Sequence, residues 1–235
     1  MTVNGNRLEL PSDCHFANYA AVKKSLITAG GKYNRCGFIF NEDAQAIKDR
    51  LVGGEAIDDK KKFQFFPTPR ILAEKLVELA ELNESHTVLE PSAGQGAIAN
   101  LIKRDKYGSR ACTVIELMDQ NIKALQRQGY FVHEGDFLSY NPEGLGKFDR
   151  IVANPPFTKN QDIDHIRHMY RFLKEGGRLV SMASKSWVTG SQKKQKEFRQ
   201  WLASVSTEII DVDAGEFKES GTMVSSSIVI IEKKG

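Results

Sequence analysis

From Thr68 onward the chain alternates short runs of β-branched residues with amphipathic helical stretches, and this alternation is what most limits the folds open to it. Strands are expected near residues 87–90, 112–116, 131–134, 149–153, 178–182, 208–212 and 226–231, with helices between most of them. Such an order builds a mostly parallel sheet covered on both faces, because each parallel return needs a crossover over one face. Only residues 213–225 separate the last two strands, too few for a long crossover, so an antiparallel hairpin at the sheet edge is expected. The helix that opens the region is read with Thr68 as its cap and Pro69 at its first position. Its buried stripe is Ile71, Leu72, Leu76, Val77 and Ala80.

The first 62 residues read differently. Ser12 or Asp13 caps a helix carrying Phe16, Tyr19, Val22, Leu26 and Ile27, which stops at Gly30-Gly31. Cys36 to Phe40 reads as a strand, and Asn41 opens a second helix with Ala44, Ile47 and Leu51 on one side. The expectation is a small α-β-α module over 1–62, a charged boundary at Asp58 to Lys62, and a larger α/β domain over 63–235.

A chain of 235 residues has room for one sizeable core and one small appendage. With 33 basic against 30 acidic residues the net charge is +3, so attraction to a polyanion rests on local clusters such as Lys60-Lys61-Lys62 and Lys193-Lys194-Gln195-Lys196. The cysteines, Cys14, Cys36 and Cys112, are odd in number and form no CxxC pair. That argues against a disulfide framework and a zinc site, so no metal is expected and a reducing cytoplasm is. No apolar run approaches the roughly 18 residues of a membrane span, and no signal peptide is evident at the N-terminus.

The first strand of the larger region, Val88-Leu89-Glu90, runs into Pro91-Ser92-Ala93-Gly94-Gln95-Gly96 and then a helix near Ala97. Strand, glycine-rich turn and helix in that order form a nucleotide-type cofactor site. The third glycine of the dinucleotide fingerprint is missing and the strand ends in an acid. Glu90 would repel a pyrophosphate and attract a ligand bearing an ammonium group, which disfavours a nicotinamide-linked oxidoreductase. Glu116 ends the second strand about 20 residues past Gly96, where a carboxylate can accept both hydroxyls of a ribose. After the third strand, Asp136 could accept from an adenine amine while Phe137 covers the ring. Three acids at three successive strand ends define one crevice at the carboxyl edge of the sheet.

Asn154-Pro155-Pro156-Phe157 follows the fourth strand directly. An exocyclic amine on a purine is a poor nucleophile, because its lone pair is delocalised into the ring. The Asn154 side-chain oxygen and the Pro155 carbonyl can accept the two amine hydrogens and draw the nitrogen towards a tetrahedral geometry. The prolines fix the backbone so that these acceptors converge, and Phe157 offers an apolar face on which an extruded base can stack.

These motifs, in this order, resemble the S-adenosylmethionine-dependent amino-methyltransferases of DNA, which make N6-methyladenine or N4-methylcytosine. The resemblance covers about Phe63 to Lys234 and implies a Rossmann-like methyltransferase fold. Phe66, Pro67 and Thr68 are similar to the motif preceding the cofactor loop, which implies contacts to the methionine part of S-adenosylmethionine. Glu90, Pro91, Ser92, Ala93, Gly94 and Gly96 resemble the cofactor loop, Glu116 with Leu117 the ribose-binding strand end, and Asp136 with Phe137 the adenine-binding pair. Asn154, Pro155, Pro156 and Phe157 resemble the catalytic tetrapeptide, Asn154 lying at the cofactor as well, and the form with Phe points to adenine. Phe217 to Thr222, followed by Ser225 to Ile231, is similar to the hairpin that closes the base pocket.

The segment after Phe157 is taken up by the remaining strands, which leaves no large target-recognition domain. Sequence reading is then expected from short loops, the N-terminal module or a separate specificity subunit. Lys185, Trp187, Lys193 and Lys194 are candidate nucleic-acid contacts. RNA is the alternative substrate, since the same core serves RNA methyltransferases and, with a different aromatic, protein-glutamine methyltransferases. A non-catalytic module that binds cofactor or nucleic acid is the further alternative.

Overall fold

The computed structural model describes residues 1–11, 18–35, 37–40, 43–53, 67–104, 112–212 and 226–235. The chain divides into two compact units, Met1–Gln64 and Phe65–Gly235.

The first unit is built around a four-stranded antiparallel sheet. Strands β1 (Thr2–Asn4) and β2 (Arg7–Glu9) form a hairpin across a two-residue turn at Gly5-Asn6. Helix α1 (Tyr19–Thr28) follows, then β3 (Lys32–Asn34), β4 (Gly37–Ile39) and α2 (Ala44–Val52), and the sheet order is β1-β2-β4-β3. Leu8, Leu10, Leu26, Phe38, Phe40, Ala44 and Ile47 form its core. This corrects the expected α-β-α order: both helices and one strand are present, but three further strands are too. Strands of three residues show at most one full alternation, so their pattern is invisible next to a helix's. Asp43, not Asn41, caps α2, its carboxylate accepting from the Gln45 amide at 3.0 Å. The expected cap at Ser12 or Asp13, Cys14, Cys36, Asn41 and the 58–62 boundary lie outside the described residues.

The second unit is a three-layer α/β sandwich. Its elements run α3 (Arg70–Leu79), β5 (Val88–Glu90), α4 (Ala99–Arg104), β6 (Cys112–Glu116), α5 (Asp119–Arg127), β7 (Val132–Glu134), α6 (Pro142–Leu145) and β8 (Phe148–Ala153), then α7 (Gln161–Arg171), β9 (Leu173–Ser184), α8 (Ser186–Thr189), α9 (Lys193–Ser204), β10 (Ser206–Val212) and β11 (Ser226–Glu232). The sheet order is β10-β11-β9-β8-β5-β6-β7, parallel except for β11, which pairs antiparallel with β10 and β9. The expected edge hairpin is therefore present, with its return strand inserted between β10 and β9.

Alternation along the strands sends Val88, Val114, Val152, Val180 and Ile228 to one face, under α3, α4 and α5. Leu89, Ile115, Ile151, Leu179 and Val229 face the other, under α7 and α9. Strand β9 starts five residues before the expected 178, because Leu173 already pairs with Phe148 and the register then slips between Phe148 and Arg150. In α3 the stripe is Leu72, Ala73 and Leu76, continued by Ala80. Ile71 is 67% exposed, a correction to the expected stripe. No helix among the described residues is long and apolar enough to cross a membrane.

Candidate active site

The carboxyl ends of β5, β6, β7 and β8 carry Glu90, Glu116, Asp136 and Asn154 to one edge of the sheet. Parallel pairing sets this arrangement, with Glu90 beside Val114 and Glu116 beside Glu134. The crevice outside such strand ends is where open α/β sheets take ligands.

The turn after β5 is shaped by two glycines. Gly94 and Gly96 have φ of 55° and 85°, a region that side chains other than glycine rarely adopt. A Cβ on Gly96 would lie 3.1 Å from both Asn100 and Leu125. The turn is pinned to β6 twice: the Ala93 amide donates to the Ile115 carbonyl at 3.0 Å, and the Gly94 amide donates to Glu116 Oε2 at 2.7 Å.

Glu116 Oε1 also accepts from the amides of Leu117 and Met118, at 2.9 and 2.8 Å. A carboxylate has about four acceptor positions. Three are filled by backbone, which leaves Glu116 one open acceptor position and makes its carboxylate the tie between the glycine turn and the residues after β6. Leu117, beside it, is 47% exposed and offers an apolar surface at the lip of the crevice.

Glu90 is 2% exposed, and one of its oxygens, Oε2, is buried without a hydrogen-bond partner. Burial pushes its carboxyl well above the usual carboxylate range, a hydrogen bond from the Ala99 amide opposes this, and the nearby Glu116 charge adds to it. A buried acid with an open oxygen is what an incoming ammonium group would satisfy.

Asp136 is exposed and caps a short 3-10 turn at 137–139, accepting from the Leu138 amide at 3.0 Å. Phe137 is placed otherwise than expected. It is 2% exposed and packed among His165, His168 and Phe172, with centroids 5.6, 4.8 and 5.3 Å away. Its ring belongs to the core and has no face left for adenine. The apolar surface at this edge comes from Leu117.

Asn154 and Thr68 meet here. The Asn154 amide nitrogen donates to Thr68 Oγ1 at 3.0 Å. Thr68 is therefore not a helix cap: Pro69 occupies the N-cap position of α3 and no side chain caps that end. With its nitrogen committed, Asn154 keeps Oδ1 as its open acceptor. Pro155 is buried, and Phe157 is half-buried against the α3 face of the core. The loop then turns through Lys159 and Asn160, both at positive φ (54° and 57°). Asn160 Oδ1 accepts from Ser186 Oγ at 2.8 Å and from Gln195 Nε2 at 3.3 Å, and its Nδ2 donates to Gln192 at 3.0 Å. Two residues on, buried Asp162 accepts from the Ser184 amide and hydroxyl, both at 2.8 Å. The sequence carried no signal for this clamp, since its members lie far apart along the chain.

His165 was also missed. It sits beneath the cofactor loop with Nδ1 3.5 Å from Ser92 Oγ, and burial lowers its pKa to about 4, so it is neutral. Pro67 and Thr68 lie within the described residues, whereas Phe66 and the 217–225 segment lie outside them. Of the candidate nucleic-acid contacts, Trp187 is a correction: it is 4% exposed and packs edge-on against Phe198 at 5.3 Å. Lys185, Lys193 and Lys194 are ion-paired with Asp211, Glu197 and Asp164 respectively. Among the described residues no group of three His, Cys, Asp or Glu side chains could hold a metal ion.

A seven-stranded sheet in this order, with a glycine turn after β5, beside the central strand β8, and one antiparallel strand near its edge, is the Rossmann-like methyltransferase fold. The chain belongs to the methyltransferase small domain family, whose model matches residues 68–209 and whose cofactor is S-adenosylmethionine. Among curated proteins it is 31% identical over 104 residues to a release factor glutamine methyltransferase of Clostridium acetobutylicum, covering 41% of this chain and 36% of that one. It is 29% identical over 104 residues to ribosomal RNA small subunit methyltransferase A of Prochlorococcus marinus, covering 42% and 38%. The type I restriction-modification methyltransferase subunit of Streptococcus thermophilus superposes with a TM-score of 0.61 at 18% identity, over 72% of this chain and 45% of that one. The last likeness is one of fold, and the chain spans well under half the length of the two curated relatives.

The residues present fit S-adenosylmethionine. Glu90, with a buried oxygen lacking a partner, would take an ammonium group, Gly94 and Gly96 would let backbone approach the ligand, and Glu116 and Leu117 would offer an acceptor and an apolar face to its nucleoside end.

Proposed function

We propose that this chain methylates the exocyclic N6 amine of adenine in DNA, acting on a base turned out of its stack. The observation that carries this reading is the Asn154 amide held by Thr68, which orients an acceptor at the end of β8, next to the cofactor turn.

S-adenosylmethionine, when bound, supplies a methyl group on a sulfonium centre that is already activated for displacement. The chain's own work is then positioning and polarisation. Asn154 Oδ1 accepts one amine hydrogen and the Pro155 carbonyl the other, which localises the nitrogen lone pair for attack. The amine proton leaves to solvent once nitrogen carries the methyl. Phe157, half-buried against the core, provides the stacking surface for the base. Glu90 and the Gly94 turn hold the cofactor end of the site, and no covalent enzyme intermediate is required.

Sequence selection is assigned to short loops, the N-terminal unit or a separate specificity subunit. A base in RNA, adenine at N6 or guanine at N2, is the second reading, favoured by the likeness to a ribosomal RNA methyltransferase. Incubation with isotope-labelled S-adenosylmethionine and either unmethylated DNA or RNA, followed by nucleoside digestion and mass spectrometry, separates them. Labelled N6-methyladenine from DNA is expected. Label in RNA alone would transfer the chemistry to the second reading, and label in neither nucleic acid would refute both.

A further inference from the structure

Helix α7 leaves the catalytic loop and forms, with α9 and Leu138, an open groove of about 520 Å³, within the size range of ligand sites. Its wall carries Arg167 and Arg171, one helical turn apart, both exposed and neither ion-paired with a carboxylate among the described residues. The one acid lining the groove, Asp164, is neutralised by Lys194. His168, between the arginines, adds no charge. Burial lowers its pKa, its Nε2 lies 3.0 Å from the Tyr140 carbonyl and its Nδ1 3.4 Å from Arg171 Nη1, a pattern a neutral ring satisfies by donating to the first and accepting from the second. That contact orients the Arg171 guanidinium.

Two aromatic rings also line the groove, Tyr170 from α7 itself and Trp201 from α9, with Lys233 next to Tyr170 but outside the lining. Tyr170 and Trp201 meet edge-on at 5.5 Å, the Arg167 guanidinium lies 5.8 Å from the Trp201 centroid, and Lys233 lies 4.9 Å from the Tyr170 centroid. Both rings are partly buried, and Trp201 stacks on Phe198 at 5.8 Å, which leaves its Arg167 side for a ligand. Cations beside partly exposed aromatic rings can bind single-stranded nucleic acid, phosphates on the cations and bases on the rings. A duplex would use only the cations, because its bases are already stacked. Along α7, Arg167 stands about 9 Å and Arg171 about 15 Å from the helix's first residue, at about 1.5 Å per residue.

We infer that the α7–α9 groove binds a single-stranded stretch of nucleic acid flanking the target base, with its phosphates on Arg167 and Arg171 and a base against Trp201. This rests on the nucleic-acid reading above, and adds that the strand next to the target is held unpaired.

The test uses the full chain and a fluorescein-labelled single-stranded oligonucleotide, read by anisotropy across a salt series, with a hairpin duplex of the same sequence in parallel. Arg167→Ala/Arg171→Ala should weaken single-strand binding about tenfold or more and reduce the salt slope by about 1.4, at about 0.7 per phosphate contact. Affinity for S-adenosylmethionine should be unchanged, and Lys123→Ala, an exposed charge on α5, should change neither quantity. In a Trp187→Phe background, which leaves Trp201 as the single tryptophan, its emission should be quenched by the single strand. Unchanged affinity and slope in the double variant, with methylation of nucleic acid intact, would overturn the groove alone and leave it to a protein partner. Equal losses on duplex and single strand, or unquenched Trp201, would overturn the single-strand assignment. A wild-type protein that neither binds nor methylates any nucleic acid would overturn the substrate reading and the groove together.

Discussion

Replacing Glu116 tests whether one carboxylate holds the cofactor loop. Its oxygens accept from three backbone amides, those of Gly94, Leu117 and Met118, at 2.7 to 2.9 Å, and the residue is 7% exposed. Hydrogen bonds to a buried charged acceptor are worth about 1.5 to 3 kcal/mol each, less where the freed donors regain water. At about 1 to 1.5 kcal/mol per bond after rehydration, Glu116→Ala should cost about 3 to 4.5 kcal/mol. For a unit of this size that lowers Tm by roughly 6 to 18 °C, at about 2 to 4 °C per kcal/mol. Glu116→Gln keeps one acceptor oxygen and turns an amide NH2 towards the remaining donor, so an intermediate fall is expected. Because Gly94 is one of the three anchors, calorimetry should show S-adenosylmethionine affinity reduced about tenfold or more, about 1.4 kcal/mol. A Glu116→Ala protein melting within about 2 °C of wild type, less than 1 kcal/mol by the same scale, with unchanged affinity would refute the pinning argument.

Three further outcomes follow from the same geometry. Thr68→Val removes the acceptor that orients Asn154, so kcat should fall about three- to tenfold, the worth of one hydrogen bond, with cofactor affinity retained and activity restored by Thr68→Ser; unchanged kcat in the valine variant would sever the link. Gly96→Ala puts a Cβ at φ 85° and against Asn100 and Leu125, so about 1 to 3 kcal/mol of stability should be lost together with cofactor affinity; a neutral result by thermal melting and calorimetry would mean the turn relaxes freely. His165, with Asp136, Asp164, His168 and Lys194 around it, is held neutral with a pKa near 4 against about 6.5 unfolded. Between those values the unfolded chain binds the extra proton, so stability is full above about pH 6.5 and falls by about 3 kcal/mol as pH drops towards 4; a Tm that His165→Gln leaves equally acid-sensitive would reject that source.

The sheet was legible because seven runs of alternating or continuous apolar residues, each between turn signals, leave little freedom in topology. Residues 213–225 alone determine that the last pair is a hairpin. The strand-end acids and the tetrapeptide were legible for a related reason, since a strand end fixes where its next residue lies. What the sequence hid was how side chains divide their bonds. Glu116 gives most of its acceptor capacity to backbone, Phe137 turns into the core among His165, His168 and Phe172, and Thr68 serves Asn154 rather than α3. Each outcome turns on at least one distant partner, 22 positions away for Glu116 and Gly94 and 86 for Thr68 and Asn154, or on a choice between two faces of one ring, and local pattern carries neither. The short strands of the first unit were hidden for want of length, and Trp187 because lysines around an aromatic look alike whether the ring faces outward or into the core.

In the proposed mechanism Asn154 acts on the target amine while other residues hold the cofactor. That division of roles is tested most directly by measuring, on the same preparations of wild type and Asn154→Ala, S-adenosylmethionine affinity by calorimetry and single-turnover methyl transfer to DNA. Affinity within about twofold and transfer slowed by about 10² to 10³ are expected, the usual loss when one polarising group is removed. Transfer at the wild-type rate, or transfer lost only because the cofactor no longer binds, would contradict it.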